Sequence, residues 1–361
     1  MSYHADLTRA EAIALIEAAT GPADLFGTGG DAGDSAGWAG GDGAGRAGHS
    51  AGRPGHSAGG AGGDGAGRYR RLARLTHPDA CPGDGRAAAA FAKLAALWRR
   101  YGEEYGPLAA RGDIANLYRV RPGLLKLVRD PADNDLMRRE ATALTQLRAE
   151  VEPRLRAYFP RLVQTRRRQE PGSGIQRHAN VIGWLPGFVS LAQVSAAFPA
   201  GVDARDAAWM WRRLLVAIGA PHRAGIIHGA VLPEHVLIQP AEHGLVLIDW
   251  CYSVPAPAGR LGGAPAGRLG AVPGRYRAWY PPEVLARQAA GPDLDIWLAT
   301  RCMTELIGTA LPDPLASFAA GCTLASPRRR PDDAWRLLAE FDDLLERLYG
   351  PRRFRPFARP A

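Results

Sequence analysis

The chain has 361 residues, 46% of them apolar, and a formal net charge of +9; this length supports one sizeable hydrophobic core and a smaller second one. Its four cysteines, Cys81, Cys251, Cys302 and Cys322, form no CxxC pair, which argues against a zinc site and a disulfide framework and suits a reducing, cytoplasmic setting. The N-terminus lacks an apolar h-region and no run approaches 18 uninterrupted apolar residues, so neither a signal peptide nor a spanning helix is expected.

Thr8 and Glu11 form a capping-box pattern ahead of Ala12, Ile13, Leu15, Ile16 and Ala19, which predicts a first helix over about 8–19. From 27 to 67 the composition turns to Gly, Ala, Ser and Asp, and GGDGAGR occurs at both 40–46 and 62–68. Such a segment cannot bury enough apolar surface to offset its ordering entropy, so a flexible insertion is expected, with His49 and His56 solvated. Next comes RYRRLARL, a short helix with Tyr69, Leu72 and Ala73 on one face and Arg70, Arg71 and Arg74 on the other. Thr76-His77-Pro78-Asp79 and CPGDGR lead into a helix from 87 to 101, where Phe91, Leu94 and Trp98 form a core-facing stripe. Strand-like runs follow (LYRVR, GLLKLVR, ANVIGWL) around the helical DNDLMRREATALTQLR. The remainder is mainly helical, apart from the hairpin-like VLIQPAEHGLVLID and a Gly/Pro-rich loop at 255–274. Strands followed by helices give an α+β expectation.

Residues 5–105 resemble the J-domain family, the DnaJ-like co-chaperones that stimulate heat-shock-70 chaperones. The residues that carry it are the basic helix, His77-Pro78-Asp79 and the aromatic AxxFxxLxxxW helix, with the 27–67 segment inserted between the first two helices. The resemblance implies that His77, Pro78 and Asp79 contact a heat-shock-70-type chaperone while Arg70, Arg71 and Arg74 meet its acidic surface. A helix that buries one face and shows three arginines on the other offers suitable electrostatic complementarity.

Residues 108–349 resemble a protein-kinase domain through landmarks in order. LLKLVRD places Lys126 at the position of the β3 lysine and RREATAL places Glu140 at that of its helical partner. WLPGFVSLAQV resembles the hinge, and Asp249 follows the apolar run LVLI. WYPPE supplies Pro282 and Glu283, DLDIWLAT supplies Asp295, and SPRRRPDDAWRLL supplies Arg330. Lysine is otherwise represented only by Lys93 among the 45 basic residues, so its retention at 126, where guanidinium geometry does not substitute, weighs for the family position. The implied fold is bilobal, with lobes of about 108–186 and 187–349, followed by a basic tail at 350–361.

The catalytic chemistry departs from that pattern. The loop reads His228-Gly229-Ala230, and Ala230 cannot accept a hydroxyl proton. Leu232 replaces the loop lysine, and His235 stands where a hard cation such as magnesium takes an oxygen ligand. Cys251 replaces the glycine after Asp249, and ARGDIANLYRV offers only Gly112 as a phosphate cradle. His228 and His235 read as structural residues. What survives, Lys126, Glu140 and Asp249, is enough for weak ATP and magnesium binding, with Asp249 as the metal ligand.

The leading expectation is a pseudokinase joined to a J-like module, an adaptor that recruits a heat-shock-70-type chaperone for an unidentified client. The alternative is an atypical active kinase or small-molecule phosphotransferase in which Glu234 or Asp249 takes over as base. A nucleic-acid-binding reading, suggested by the charge and by PRRFRPFARP, ranks below both because the arginines are dispersed and lack an aromatic platform. The 255–274 loop contains no Ser, Thr or Tyr, so switching by phosphorylation there is not expected.

Overall fold

The computed structural model describes residues 7–26, 65–169, 175–257 and 267–357. The predicted insertion, with His49 and His56, lies outside the described residues as far as 64. Helix and antiparallel sheet are mixed, as the α+β expectation requires. Among the described residues no helix is long and apolar enough to cross a membrane. Two compact units emerge: Met1–Val120 with Arg129–Pro131 and Arg168–Arg177, and the rest of the chain.

In the first unit, α1 (Arg9–Ala18) carries the capping box, with the Thr8 side chain accepting from the Glu11 amide and Glu11 accepting from the Thr8 amide. Ala12, Ile13 and Ile16 are buried beneath it. The short α2 (Pro22–Phe26) directs Phe26 against Trp98 and Tyr101, at ring separations of 5.0 and 5.3 Å. Helix α3 spans Gly65–Thr76, so helical structure begins within the stretch assigned to the insertion. Leu72 is buried, while Arg70, Arg71 and Arg74 are exposed. Helix α4 (Gly85–Tyr105) buries Leu94 and Leu97, and its Trp98 stacks on Tyr69 at 4.8 Å. Arg86 pairs bidentately with Glu17 at 2.7 and 3.2 Å, and Lys93 donates to the Glu17 carbonyl at 2.8 Å; both tie α4 to α1.

The strands β1 (Leu108–Arg111), β2 (Ala115–Val120), β3 (Gly123–Val128), β4 (Leu162–Gln169) and β5 (Gln176–Gly183) form a five-stranded antiparallel sheet in the order β1-β2-β3-β5-β4. Gly123 is required where it stands, since a Cβ there would lie 2.1 Å from the Ile182 carbonyl oxygen across the β3–β5 ladder.

The second unit contains α5 (Asn134–Glu150), whose buried face holds Leu136, Met137, Glu140, Ala143, Leu144 and Leu147. After β6 (Val189–Ser190) and α6 (Leu191–Ala197) comes the central α7 (Ala204–Arg223), with Trp211 fully buried against Phe318 and Phe341. Strand β7 (Ile226–Ile227) pairs with β10 (Val254–Pro255), and β8 (Val236–Gln239) forms the predicted hairpin with β9 (Gly244–Leu247). Helices α8 (Pro282–Leu285), α9 (Pro292–Ile307), α10 (Asp313–Cys322) and α11 (Ala334–Tyr349) complete the unit.

The C-terminal segment is not a free basic tail over its described part. The His243 ring lies between Trp209 and Phe354, at 4.1 and 4.3 Å, and donates to the Arg355 carbonyl at 2.8 Å. Arg355 itself pairs with Asp206 at 2.9 Å. The apolar residues interleaved with its arginines anchor the segment, a consequence that counting charges alone would miss.

Candidate functional site

Strand β3 is buried on both faces from Leu125 to Val128, so Lys126 sits inside the protein at 4% exposure. A buried ammonium is tolerated only with partners. Its Nζ donates to Glu140 Oε1 and to Asp249 Oδ1, each at 2.9 Å, and lies 3.1 Å from Cys251 Sγ. Glu140 belongs to the apolar face of α5, and its second oxygen accepts from Asn180 Nδ2 at 2.9 Å. Asn180 stands opposite Lys126 in the β3–β5 register and also donates to the Met137 carbonyl. The buried carboxylate is therefore held by one strand residue from each side.

Burial alone would lower the Lys126 pKa, but the Asp249 and Glu140 carboxylates push it well above its ordinary value. For Asp249 burial acts upward, and Lys126 together with His235 holds the carboxyl well below the usual range. Both groups are charged at neutral pH. Burial first, then the nearby carboxylates, push the Cys251 thiol up, so it is protonated and unreactive. Asp249 adopts a left-handed backbone, φ 66° and ψ 62°, an uncommon conformation for a residue with a side chain. Its Oδ2 lies 3.5 Å from His235 Nε2, while His235 Nδ1 donates to the Ala230 carbonyl at 2.8 Å.

The donor atoms of Glu140, Asp249 and Cys251 lie close enough together to share a cation. Lys126 Nζ already fills that role, within 3.1 Å of all three. For magnesium the residues offer Asp249 Oδ2 beside an imidazole, a poor match for a hard cation that wants oxygen ligands.

The neighbouring loop is organised around the buried Asp295 of α9. Its carboxylate accepts from the His228 amide at 2.8 Å, the Gly229 amide at 2.9 Å and His222 Nε2 at 3.0 Å. His228 is fully buried; Nε2 donates to the Ile248 carbonyl at 3.0 Å and Nδ1 accepts from the Ala230 amide at 3.2 Å. Both ring nitrogens are thus occupied, and burial lowers the pKa to about 4. The ring is neutral at pH 7 and holds the loop instead of abstracting a proton.

Because His228 charges more readily in the unfolded chain, near pH 6.5, than in the folded one, the unfolded state gains protons first as pH falls. Its contribution to stability, on the order of 3 kcal/mol, is therefore complete above pH 6.5 and lost on descending towards pH 4. Urea unfolding at stepped pH is expected to show this loss, and His228→Gln to flatten that part of the profile. Equal slopes in both proteins would reject it.

Ala230 is fully buried and carries no acid. Gly229 has φ 78°, and a Cβ there would lie 2.7 Å from the Tyr252 carbonyl oxygen; its own carbonyl accepts from the Tyr280 hydroxyl at 2.9 Å. Glu234, the candidate replacement base, accepts from the Tyr276 hydroxyl and lies 2.8 Å from Arg275 Nη1. Arg330 pairs with Glu283 and, at 3.1 Å, with Asp293.

The structure thus brings Lys126, Glu140, Asp249 and His235 together, with His228, Gly229 and Ala230 in the loop behind. His77, Pro78 and Asp79 lie elsewhere, in the first unit. There Pro78–Ala80 forms a single 3₁₀ turn, His77 Nδ1 accepts from the Asp79 amide at 3.2 Å, and the His77 ring meets Phe91 edge-on at 4.9 Å. The Asp79 side chain is 92% exposed. Sequence reasoning missed Asn180, although an amide inside the otherwise apolar run ANVIG was a usable signal. It also missed that His222 would join Asp295.

No family model matches the chain. Part of it is similar to the hormonally up-regulated neu tumor-associated kinase of Mus musculus, 29% identical over 117 residues, which is 32% of this chain and 16% of that protein. Homolog B of that kinase from Xenopus laevis is 30% identical over 107 residues, covering 30% of this chain and 16% of its own. The similarity therefore spans about a sixth of the length of these curated relatives.

Proposed function

We propose that residues 108–349 form a bilobal, protein-kinase-like domain that holds a nucleotide weakly and does not transfer phosphoryl groups by the usual route. The observation that carries this reading is the pairing of a complete Lys126–Glu140–Asp249 cluster with a fully buried Ala230 where the base would stand. Lys126 and Asp249 are the groups that would meet phosphate and its cation. Positioning and charge stabilisation supply most of the rate in phosphoryl transfer, and this loop offers neither base nor cationic neighbour. The partial similarity to kinases supports the same reading.

Wild-type protein with ATP at ten times its dissociation constant, plus magnesium, is expected to melt about 3–6 °C higher, and Lys126→Ala to lose the shift. Absence of a shift in the wild type would reduce the domain to a scaffold. Label transfer from ATP that vanishes in Asp249→Asn would overturn the non-catalytic reading. The alternative base Glu234 is engaged by Tyr276 and Arg275, which weighs against an active phosphotransferase.

Residues 5–105 form the second half of the proposal, a J-like module that recruits a heat-shock-70-type chaperone in the cytoplasm on behalf of a client. Exposed Asp79, half-exposed His77 and the arginine face of α3 support it. Phosphate release by a purified heat-shock-70 chaperone is expected to rise several-fold with the wild-type chain and to stay basal with His77→Gln. Equal stimulation by both would reject it.

A further inference from the structure

A cavity of about 650 Å³ opens in the second unit between the outer side of α5, the C-terminal end of α7 and residues 253–257. That volume falls within the range of small-molecule sites. Much of its wall is apolar, including Ala143, Ile226, Val254 and Pro255, and none of the lining residues is acidic. The charged residues on it are Arg139 and Arg223. Arg223 has no carboxylate partner among the described residues; its guanidinium lies over the Trp335 ring at 4.9 Å. Among the described residues Arg139 pairs only with Asp135, one helical turn away at 3.3 Å, an exposed pair of small worth.

His222 also lines the cavity, with its side chain only 8% exposed. Asp295 fixes its Nε2 as a donor, and Nδ1 of the same ring has no partner among the described residues. Nδ1 is then the ring's lone-pair acceptor and is closed to solvent, so it offers an anion nothing; recognition falls to the apolar wall and the two arginines.

From these walls we infer that the cavity binds a small organic anion, with an apolar or aromatic body against Ile226 and Val254 and a carboxylate or phosphate head between Arg139 and Arg223. Guanidinium forks match both head groups, so the head is assigned by comparison of probes. This site is separate from the Lys126 cluster and does not rest on the nucleotide reading.

Titration calorimetry of the full chain with phenyl phosphate, benzoate and inorganic phosphate tests it. At least one aromatic probe is expected to bind saturably, and the tighter of the two assigns the head. Inorganic phosphate, which cannot use the apolar wall, is expected to bind at least about tenfold more weakly than phenyl phosphate. Arg223→Gln and Arg139→Gln are each expected to weaken the aromatic probe by about tenfold or more, with Arg223→Gln leaving the ATP-dependent melting shift unchanged. No saturable binding up to about 10 mM, or affinities unaltered by both arginine variants, would overturn the assignment.

Discussion

Arg330→Met is expected to cost about 3–5 kcal/mol of folding stability. The Arg330 side chain is fully buried and its partners fill every direction of the guanidinium. Glu283 and Asp293 accept on one side, the Leu324 and Ala325 carbonyls on the other, and the Trp297 ring lies 4.4 Å away. Methionine matches the length and apolar stem but leaves two poorly solvated carboxylates facing each other. Burial already raises the Asp293 pKa, against the opposing pull of Arg330; without the arginine only a backbone hydrogen bond offsets that burial. The expected reading is a lower urea midpoint at an unchanged m-value. A loss below about 1 kcal/mol would mean that the trio behaves like an exposed surface pair.

Lys126→Met is expected to be comparably severe, about 3–5 kcal/mol at neutral pH, and to differ in its pH dependence. With the ammonium gone, Glu140 and Asp249 face each other without a cation. A buried carboxylate beside another takes up a proton more readily, so its folded pKa rises above the unfolded value. The folded state then binds more protons than the unfolded one in that window, and stability increases as pH falls. In the wild type the sign is opposite, because Lys126 holds Asp249 below the usual range. The variant should therefore lose part of its deficit between neutral pH and pH 5, and a deficit that stays constant or grows would refute the argument. Folding effects must be separated from loss of nucleotide binding, which the melting shift with ATP does within each protein.

The sequence made some parts of this fold easy to recognise. The Thr8–Glu11 capping box, α5 and the β8–β9 hairpin announced themselves through local patterns of hydrogen bonding and apolar spacing. Strand β4 did not, because Thr165 to Gln169 is almost entirely arginine and polar, and an exposed strand of this kind leaves no alternating apolar trace. The two-residue strands β6, β7 and β10 are set by tertiary packing and carry no periodicity. At the site, Lys126, Glu140 and Asp249 were found by landmarks separated by up to 123 residues. Asn180 was not, since nothing local to its strand says that it faces Lys126. The behaviour of the C-terminal segment was likewise hidden, because its aromatic residues find His243 and Trp209 only once the chain has folded.

Gly229 places a limit on any attempt to engineer catalysis into this loop. An arginine at that position would begin with a Cβ 2.7 Å from the Tyr252 carbonyl oxygen and 3.3 Å from Leu269 Cδ2, on a backbone whose φ of 78° disfavours any side chain. Installing an aspartate at 230 and an arginine at 229 would thus fail first at the middle of the triplet. The turn through Tyr252 would have to be rebuilt before an arginine could stand at 229, which makes this part of the loop a steric ratchet: simple to inherit, and closed to that point change.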